Sequence, residues 1–362
     1  MGLRRTVFGE NYYSSPYKIN DLRASEIYGV AIRLNFTIPE GNFEKFNVYV
    51  NDALYDEIYY SGDTIVLMDP LTTYDIRITP VGVVQGELDK SNRIIVTTLE
   101  NNYSQSYHPR YEERLDYAIA HKIQIPNESQ RSIDNQRVTE LVNEGLLDEF
   151  DFLYYFKNNY PNIKATSCFY TLNWVDPTKY RLNNPDKLKE PRYYTNQGYK
   201  ATAEEREFFQ NGFVPNIDAN KFLVDDYCLI YKTFDFEISS SFTNIHVFGN
   251  YESSSNNLMV SRSSGNLTVL ESVPSIDRFD LNEMFFVFGD QNGKRIYMNN
   301  VLEYSGSRLD FSNGDHEILP LGVYATNVNV KIGPNGNLGW ELVGIGKNLE
   351  NKRTELYNIF NS

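Results

Sequence analysis

The sequence predicts a mainly β protein: two strand-rich segments separated by a short helical stretch. Three observations carry this. Tyrosine (28) and phenylalanine (22) are abundant against only 2 tryptophans, and they run with Val and Ile between clusters of Asn, Gly, Asp and Ser, a mixture of strand formers and turn residues. Apolar and polar residues alternate at period 2 within residues 22–99 and again beyond 165, as half-buried strands require. Between those stretches the period becomes helical. A chain of 362 residues suits two or three domains.

Residues 1–20 hold no periodic pattern. They carry Arg4, Arg5 and Lys18 against Glu10, with Phe8, Tyr12, Tyr13 and Tyr17. This reads as an extended, aromatic-rich docking arm. Met1–Thr6 fits the short N-myristoylation pattern and holds a twin arginine, but no apolar stretch follows, so neither a lipid anchor nor a signal peptide is expected.

Residues 21–100 read as short strands. Tyr28, Val30, Ile32, Leu34 and Phe36 alternate with Gly29, Ala31, Arg33 and Asn35, and Phe46, Val48 and Val50 do the same. Leu71 stands three residues before Tyr74, which opens the alternating run Tyr74–Ile78. That spacing looks like a tyrosine corner, in which the Tyr74 hydroxyl bonds an upstream backbone group. Arg93–Thr98 supplies a last strand. The segment resembles a fibronectin type III domain, although the tryptophan usual in its B strand is missing.

Residues 101–164 read as a helical linker. Tyr111, Leu115, Ala118, Ile119 and Lys122 share one helix face. Pro126 ends that helix, and Asn127 is placed to cap the next, with Gln130 three residues on. Ile133, Leu141 and Val142 give the second helix an apolar face, and Gly145 supplies its stop. Leu146–Phe156 reads as a third short helix ended by Asn158, Asn159 and Pro161. The Tyr/Leu stripes are core residues, free to pack on their own chain or between chains.

Residues 165–362 return to strands. Phe285–Phe288 and Arg295–Met298 flank Asp290-Gln291-Asn292-Gly293, a hairpin signal. Arg295–Leu302 reads as strand, two-residue turn, strand. Gly322–Thr326 and Val328–Ile332 continue the pattern, and Asn348–Phe360 closes the chain as a helix with Leu349, Leu356, Ile359 and Phe360 on one side.

Several short segments resemble, in order, a module of tailed-phage virion proteins, many from phages of Bacteroidetes, crAss-like phages among them. Leu147–Phe156 matches the module's short helical lead-in, and Leu172-Asn173-Trp174-Val175-Asp176-Pro177 its LNW-x-[DN]-P segment. Tyr194–Tyr199, Phe213–Asn216 and Asp226–Thr233 follow, the last with Lys232 where the module has arginine. Ile296–Val301 matches a hairpin, with Asn300 for glycine, and Glu355–Tyr357 a closing helix. Asn is the next-best residue for positive φ, so the turn is expected to survive. The resemblance covers roughly residues 110–362. It implies a concanavalin/laminin-G-like jelly roll at 165–362 and a virion structural or fibre protein, and it brings no catalytic residues with it.

The remaining chemistry is consistent with a non-enzyme. Net charge is −14, which repels phosphate backbones, so nucleic acid is not an expected partner. No stretch approaches the roughly 20 apolar residues of a bilayer span. Cys168 and Cys228 build neither a disulfide framework nor a zinc site, and the 4 histidines are scattered. A retaining glycosidase needs two carboxyls about 5–5.5 Å apart. Glu149-Phe150-Asp151 begins an E-x-D-x-x-E signature, but Tyr154 stands where the last Glu belongs. Asp235 and Glu237 are set to share a strand face and lack a third member. Asp277, Asp280, Asp310 and Asp315 are loop acids of the kind that hold Ca²⁺, yet loops carry such residues by default. No catalytic, cofactor-binding or metal-ligating residue is expected.

The expectation is therefore a non-enzymatic virion protein, a head or tail fibre or decoration subunit. It is expected to be assembled in the host cytoplasm, anchored to other virion proteins through residues 1–20, and homo-oligomeric, a trimer. A second reading is a lectin-like module that recognises a carbohydrate receptor, by aromatic stacking and Asn/Asp hydrogen bonds.

Overall fold

The computed structural model describes residues 17–184, 191–201, 208–223, 225–238, 244–251, 259–263, 266–269, 283–306, 323–325, 330–332 and 336–361. The chain forms two units, Met1–Asn101 and Asn102–Ser362.

In the first unit the alternation becomes strands β1 (Arg23–Ile27), β2 (Ile32–Asn35), β3 (Phe43–Val50), β4 (Ala53–Ile58), β5 (Thr64–Ile65), β6 (Thr73–Gly82), β7 (Gly86–Glu87) and β8 (Ile94–Thr97). One sheet runs β1-β2-β5; the other runs β4-β3-β6-β7, with β8 also on β6. Inward residues of both sheets, Ile32, Leu34 and Ile65 with Phe46, Val48, Ile76, Ile78 and Val96, form one buried cluster. Each such side chain contributes roughly 1.5–3 kcal/mol by leaving water. This is a fibronectin type III-like sandwich. Its tyrosine corner is in place: the buried Tyr74 hydroxyl accepts the Asp69 N–H at 2.8 Å. Asn51 and Asp52, both at positive φ (51° and 65°), make the two-residue turn between β3 and β4.

Two expectations for this unit are corrected. The strand expected from Tyr28 begins only at Ile32, because Tyr28 N–H bonds Ala31 O at 2.8 Å and closes a turn after β1. Val30, Ala31 and Ile32 are buried in succession, which interrupts the alternation. The arm is also shorter than residues 1–20. Ile19 is in the core beside Leu22, its carbonyl accepts the Asn92 N–H at 3.1 Å, and the Tyr17 ring meets Phe43 edge-on at 6.2 Å. Phe8, Tyr12 and Tyr13 lie outside the described residues.

The second unit comprises α1 (Pro109–Ala120), α2 (Glu128–Asn143), β9 (Phe150–Tyr155), β10 (Arg192–Tyr194), β11 (Gly198–Ala201), α3 (Pro215–Asp218), β12 (Asp226–Ile238), β13 (Asn244–Tyr251), β14 (Met259–Ser263), β15 (Asn266–Val269), β16 (Met284–Asp290), β17 (Gly293–Met298), β18 (Val301–Gly306), β19 (Val323–Ala325), β20 (Val330–Ile332), β21 (Gly336–Gly346) and α4 (Arg353–Asn361). An eight-stranded antiparallel sheet runs β10-β11-β21-β12-β16-β17-β18, with β9 on β21. A five-stranded sheet runs β15-β14-β13-β19-β20, where β13 and β19 pair in parallel. Strand β21 is the hub. One side pairs with β12, and the other is shared end to end by β11 at Leu338–Trp340 and β9 at Leu342–Gly346. The β16–β17 hairpin forms as expected. Asn299 (φ 45°) and Asn300 (φ 70°) turn β17 into β18.

The helical linker is corrected in two respects. Leu146–Phe156 is not a helix: a short 3₁₀ turn, Leu147–Glu149, leads into β9, whose every residue is buried. A continuous apolar run such as Phe-Asp-Phe-Leu-Tyr-Tyr fits a strand covered on both faces as well as a helix, and period alone does not separate them. The boundary at 164/165 therefore moves: the sheet starts at Phe150, and α1 and α2 belong to the same unit. Of the α1 stripe, Tyr111, Leu115 and Ala118 are fully buried within their own chain, while Ile119 and Lys122 are half-buried. Asn127 caps α2 by accepting the Gln130 N–H at 2.9 Å, and Gly145 ends it at φ 68°. The reciprocal half of a capping box is not made, because Gln130 spends its side chain on Asn158 and Asn159. Among the described residues no helix is long and apolar enough to cross a membrane.

Candidate functional site

The LNW-x-D-P segment is a structural brace for β9. Asn173 Oδ1 accepts the Leu153 and Val175 N–H groups, both at 3.1 Å, and Trp174 N–H bonds Leu153 O at 2.9 Å. Asp176 closes the turn by accepting from Thr178 N–H (2.9 Å) and Oγ1–H (2.6 Å). The Tyr194–Tyr199 match is the β10–β11 hairpin. Gly198 sits at φ 124°, where a Cβ would run into the Trp340 carbonyl, so glycine is required there.

Helix α2 turns a polar face inward. Asp134 is fully buried and accepts from Tyr170 Oη–H at 2.6 Å and Gln130 Nε2–H at 2.9 Å. Burial pushes its carboxyl up from the ordinary range, opposed by the Tyr170 hydroxyl and the Arg114 charge. Arg114 is also buried. Its Nη2 donates to the Phe169 and Leu172 carbonyls at 3.3 and 3.2 Å, and its guanidinium lies 4.3 Å from the Phe169 ring centre and 4.8 Å from that of Trp174. Desolvation lowers its pKa to about 10. Cation–π contact offsets part of that desolvation. The network fastens α1 and α2 to the segment between β9 and β10.

A cavity of about 320 Å³ opens beside this network. Among the described residues its charged lining is basic: Arg137 from α2, Lys157 after β9 and Lys232 from β12. Carboxamides of Gln130, Asn158, Asn159, Asn196 and Asn361 also line it, over an aromatic floor of Tyr155 and Phe360. The Arg137 guanidinium lies 4.5 Å from the centre of the Tyr155 ring. Lys232 and Lys157 both point to Glu341, at 3.1 and 3.5 Å. A second cavity, about 380 Å³, is lined by Arg110, Asp148, Asp176, Lys179, Tyr180 and neighbours. Its charges are mixed, and Arg110 is already bonded to Asp148 (2.7 Å) and Val175 O (2.9 Å).

Of the carboxylates weighed for catalysis, Asp151 and Glu149 each face another partner. Asp151 is buried and accepts the Asn220, Lys221 and Phe222 N–H groups at 2.7–3.2 Å, a loop brace. Glu149 lies 3.9 Å from Lys221. A register break between Phe234 and Glu237 interrupts the face that Asp235 and Glu237 were expected to share, and their side chains lie outside the described residues. So do Asp277, Asp280, Asp310 and Asp315. Among the described residues no group of acids, Cys and His is placed to hold a metal. Cys168 and Cys228 are buried free thiols; burial pushes Cys168 up to about 11 and Cys228 higher.

Sequence reasoning missed the basic cavity. Its residues come from segments far apart in the chain, and Gln130, Asp134 and Arg137 have the composition of a solvated helix face. The one signal was Lys232, singled out as a departure from the module's arginine.

No protein-family model matches the chain, and no curated protein matches it. Solved structures give local likenesses. The sixth fibronectin type III domain of human fibronectin type III domain containing protein 3 is 18% identical, covering 27% of this chain and 100% of its own, with a TM-score of 0.22. A second fibronectin type III domain of that human protein is 14% identical, covering 25% and 93%, at a TM-score of 0.21. The binding domain of botulinum neurotoxin serotype D is 14% identical, covering 60% of this chain and 52% of its own, at a TM-score of 0.36.

Proposed function

We propose that the chain is a non-enzymatic structural protein of a tailed-phage virion, a head or tail fibre or decoration subunit that contributes to host-surface adhesion. The observation that carries this is the order of the matched segments. From Leu172–Pro177 through Tyr194–Tyr199, Phe213–Asn216, Asp226–Thr233 and Ile296–Val301 to Glu355–Tyr357 they follow one another as in the virion module. They fall on strands, turns and helices of one unit. In this reading the strands from Phe150 onward form a concanavalin/laminin-G-like jelly roll, the N-terminal arm docks on other virion proteins, and the subunit is a trimer. The α1 stripe no longer supports the trimer, since it is spent inside the chain; the resemblance alone does. The engagement of Asp151 as a brace supports a structural rather than a catalytic use of that carboxylate.

Mass spectrometry of purified particles, with antibody labelling of the second unit on intact virions, tests the proposal. Its presence at stoichiometric copy number is expected; absence from particles refutes it. Light scattering is expected to give three times the 42.0 kDa subunit mass, and a 42.0 kDa particle at micromolar concentration refutes the trimer.

The alternative, a carbohydrate-binding receptor-recognition module, is favoured by the carboxamide-rich cavity. Glycan binding by a chain that is absent from particles would select it.

A further inference from the structure

We infer that the cavity between α2, the end of β9 and α4 is a binding site for a sugar that carries a carboxylate. This deepens the adhesive part of the proposed function and rests on it only for its biological setting.

The argument starts from charge. The chain as a whole is at −14, yet among the described residues the charged groups lining this cavity are cations: Arg137, Lys157 and Lys232. Behind them lie two carboxylates, Glu341 and Asp134, and one further cation, Arg114. Three lining cations thus stand against the one carboxylate, Glu341, that Lys232 and Lys157 contact, and the excess at the lining is positive. Glu341 is 3% exposed and Asp134 0%, and Lys232 (6%) and Arg137 (9%) are buried nearly as deeply, so Lys157, with its side chain 45% exposed, is the cation that faces the opening. A low-dielectric wall with positive charge in front draws an anion.

The rest of the lining selects among anions. Asn159 and Asn196 are exposed, and carboxamides both donate and accept, as recognition of sugar hydroxyls demands. Beneath the lining the Tyr155 and Phe360 rings, 5.5 Å apart, are buried, and the Arg137 guanidinium 4.5 Å from the Tyr155 ring centre is held by cation–π contact. A volume of about 320 Å³ accommodates a monosaccharide. The pieces are held in place beforehand. Asn158 O accepts the Asn196 N–H at 2.8 Å, Asn158 Nδ2 donates to Tyr155 O at 3.1 Å, and Lys232 Nζ donates to Asn361 Oδ1 at 3.0 Å. A cationic, carboxamide-rimmed pocket fits a uronic-type sugar better than a neutral sugar or a bare anion.

The test is calorimetric and NMR titration of the full chain with glucuronate, glucose, glucose 6-phosphate and inorganic phosphate, each at matched ionic strength. Glucuronate is expected to bind at least tenfold more tightly than the other three and to shift the Asn196 and Asn159 side-chain resonances. Lys157→Ala, whose side chain is 45% exposed, is expected to weaken glucuronate roughly tenfold, the size of one charge-assisted hydrogen bond, with only a small drop in melting temperature, because Lys232 stays on Glu341. Asn196→Ala is the second variant. Equal affinity for glucose overturns the role of the cations. Equal affinity for either phosphate overturns the sugar-carboxylate assignment and leaves an anion site. No glucuronate binding, or binding indifferent to both variants, overturns the site. None of these readings depends on whether the chain is found in particles, so failure of the site and failure of the virion role are separate results.

Discussion

Lys232 Nζ lies 3.1 Å from Glu341 Oε2, with both side chains nearly dry at 8% and 4% exposure. Their strands are neighbours, but the register places Lys232 opposite Leu342 and Thr233 opposite Trp340. Glu341 is therefore the extra residue of a bulge on β21, and bulges re-aim side chains. Without it, strict alternation would set the carboxylate elsewhere.

Breaking a buried pair from one side leaves a bare charge and costs about 3–5 kcal/mol. Lys157, 3.5 Å from the same carboxylate, limits the loss in Lys232→Met to the lower end. The double variant Lys232→Met, Glu341→Leu is expected to recover most of it. Urea unfolding followed by tryptophan fluorescence measures this cleanly, since Trp174 and Trp340 are the only tryptophans and both lie in the second unit.

Tyr74→Phe removes the hydroxyl that accepts the Asp69 N–H and leaves the ring in place. The first unit is expected to lose about 1–2 kcal/mol. Scanning calorimetry should show its transition moved down and that of the second unit unmoved.

Asp290 gives an acid-dependent contribution. Its hydrogen bond with Arg295, 2.7 Å, holds the carboxyl below the ordinary 3.8. The folded state then binds fewer protons than the unfolded state, so this stabilisation is present above pH 3.8 and drains away as pH falls through the lower folded value. The stability gap between wild type and Asp290→Asn, measured by denaturation from pH 7 down to 2, is expected to be constant above about pH 5 and to close below pH 3.8.

With Cys168 pushed up to about 11 and Cys228 higher still, neither thiol carries appreciable thiolate at pH 8. A disulfide-exchange dye at that pH is expected to label neither in the folded chain and both once urea is added. Labelling of native Cys168 would contradict its burial.

Legibility followed chemistry. Tyr74, three residues after Leu71, declared the first sandwich, because a corner needs that residue at that spacing. Asn299-Asn300 declared a two-residue turn, because few residues accept positive φ. The run from Phe150 to Tyr155 misled, because a strand covered on both faces loses its alternation. Gln130, Asp134 and Arg137 gave no sign of burial: they are the inward face of α2, made tolerable by Tyr170, Asn158 and the Tyr155 ring, partners that come from distant segments. The basic cavity was hidden for the same reason. Lys157, Asn196 and Lys232 share nothing in sequence and meet only once β9, the β10–β11 hairpin and β12 have assembled around β21.

That assembly sets an order in time. A ribosome delivers β9, β11 and β12 long before Gly336–Gly346, the strand on which all three pair. Until that strand emerges, the Phe-Asp-Phe-Leu-Tyr-Tyr segment of β9 has no edge to join. The first unit's strands, by contrast, find their partners within the first hundred residues. The nascent second unit thus completes its large sheet late, with a greasy segment waiting in the open. Pausing translation shortly before residue 336 would prolong that exposure, which makes the timing of synthesis, and not only the sequence, a determinant of yield.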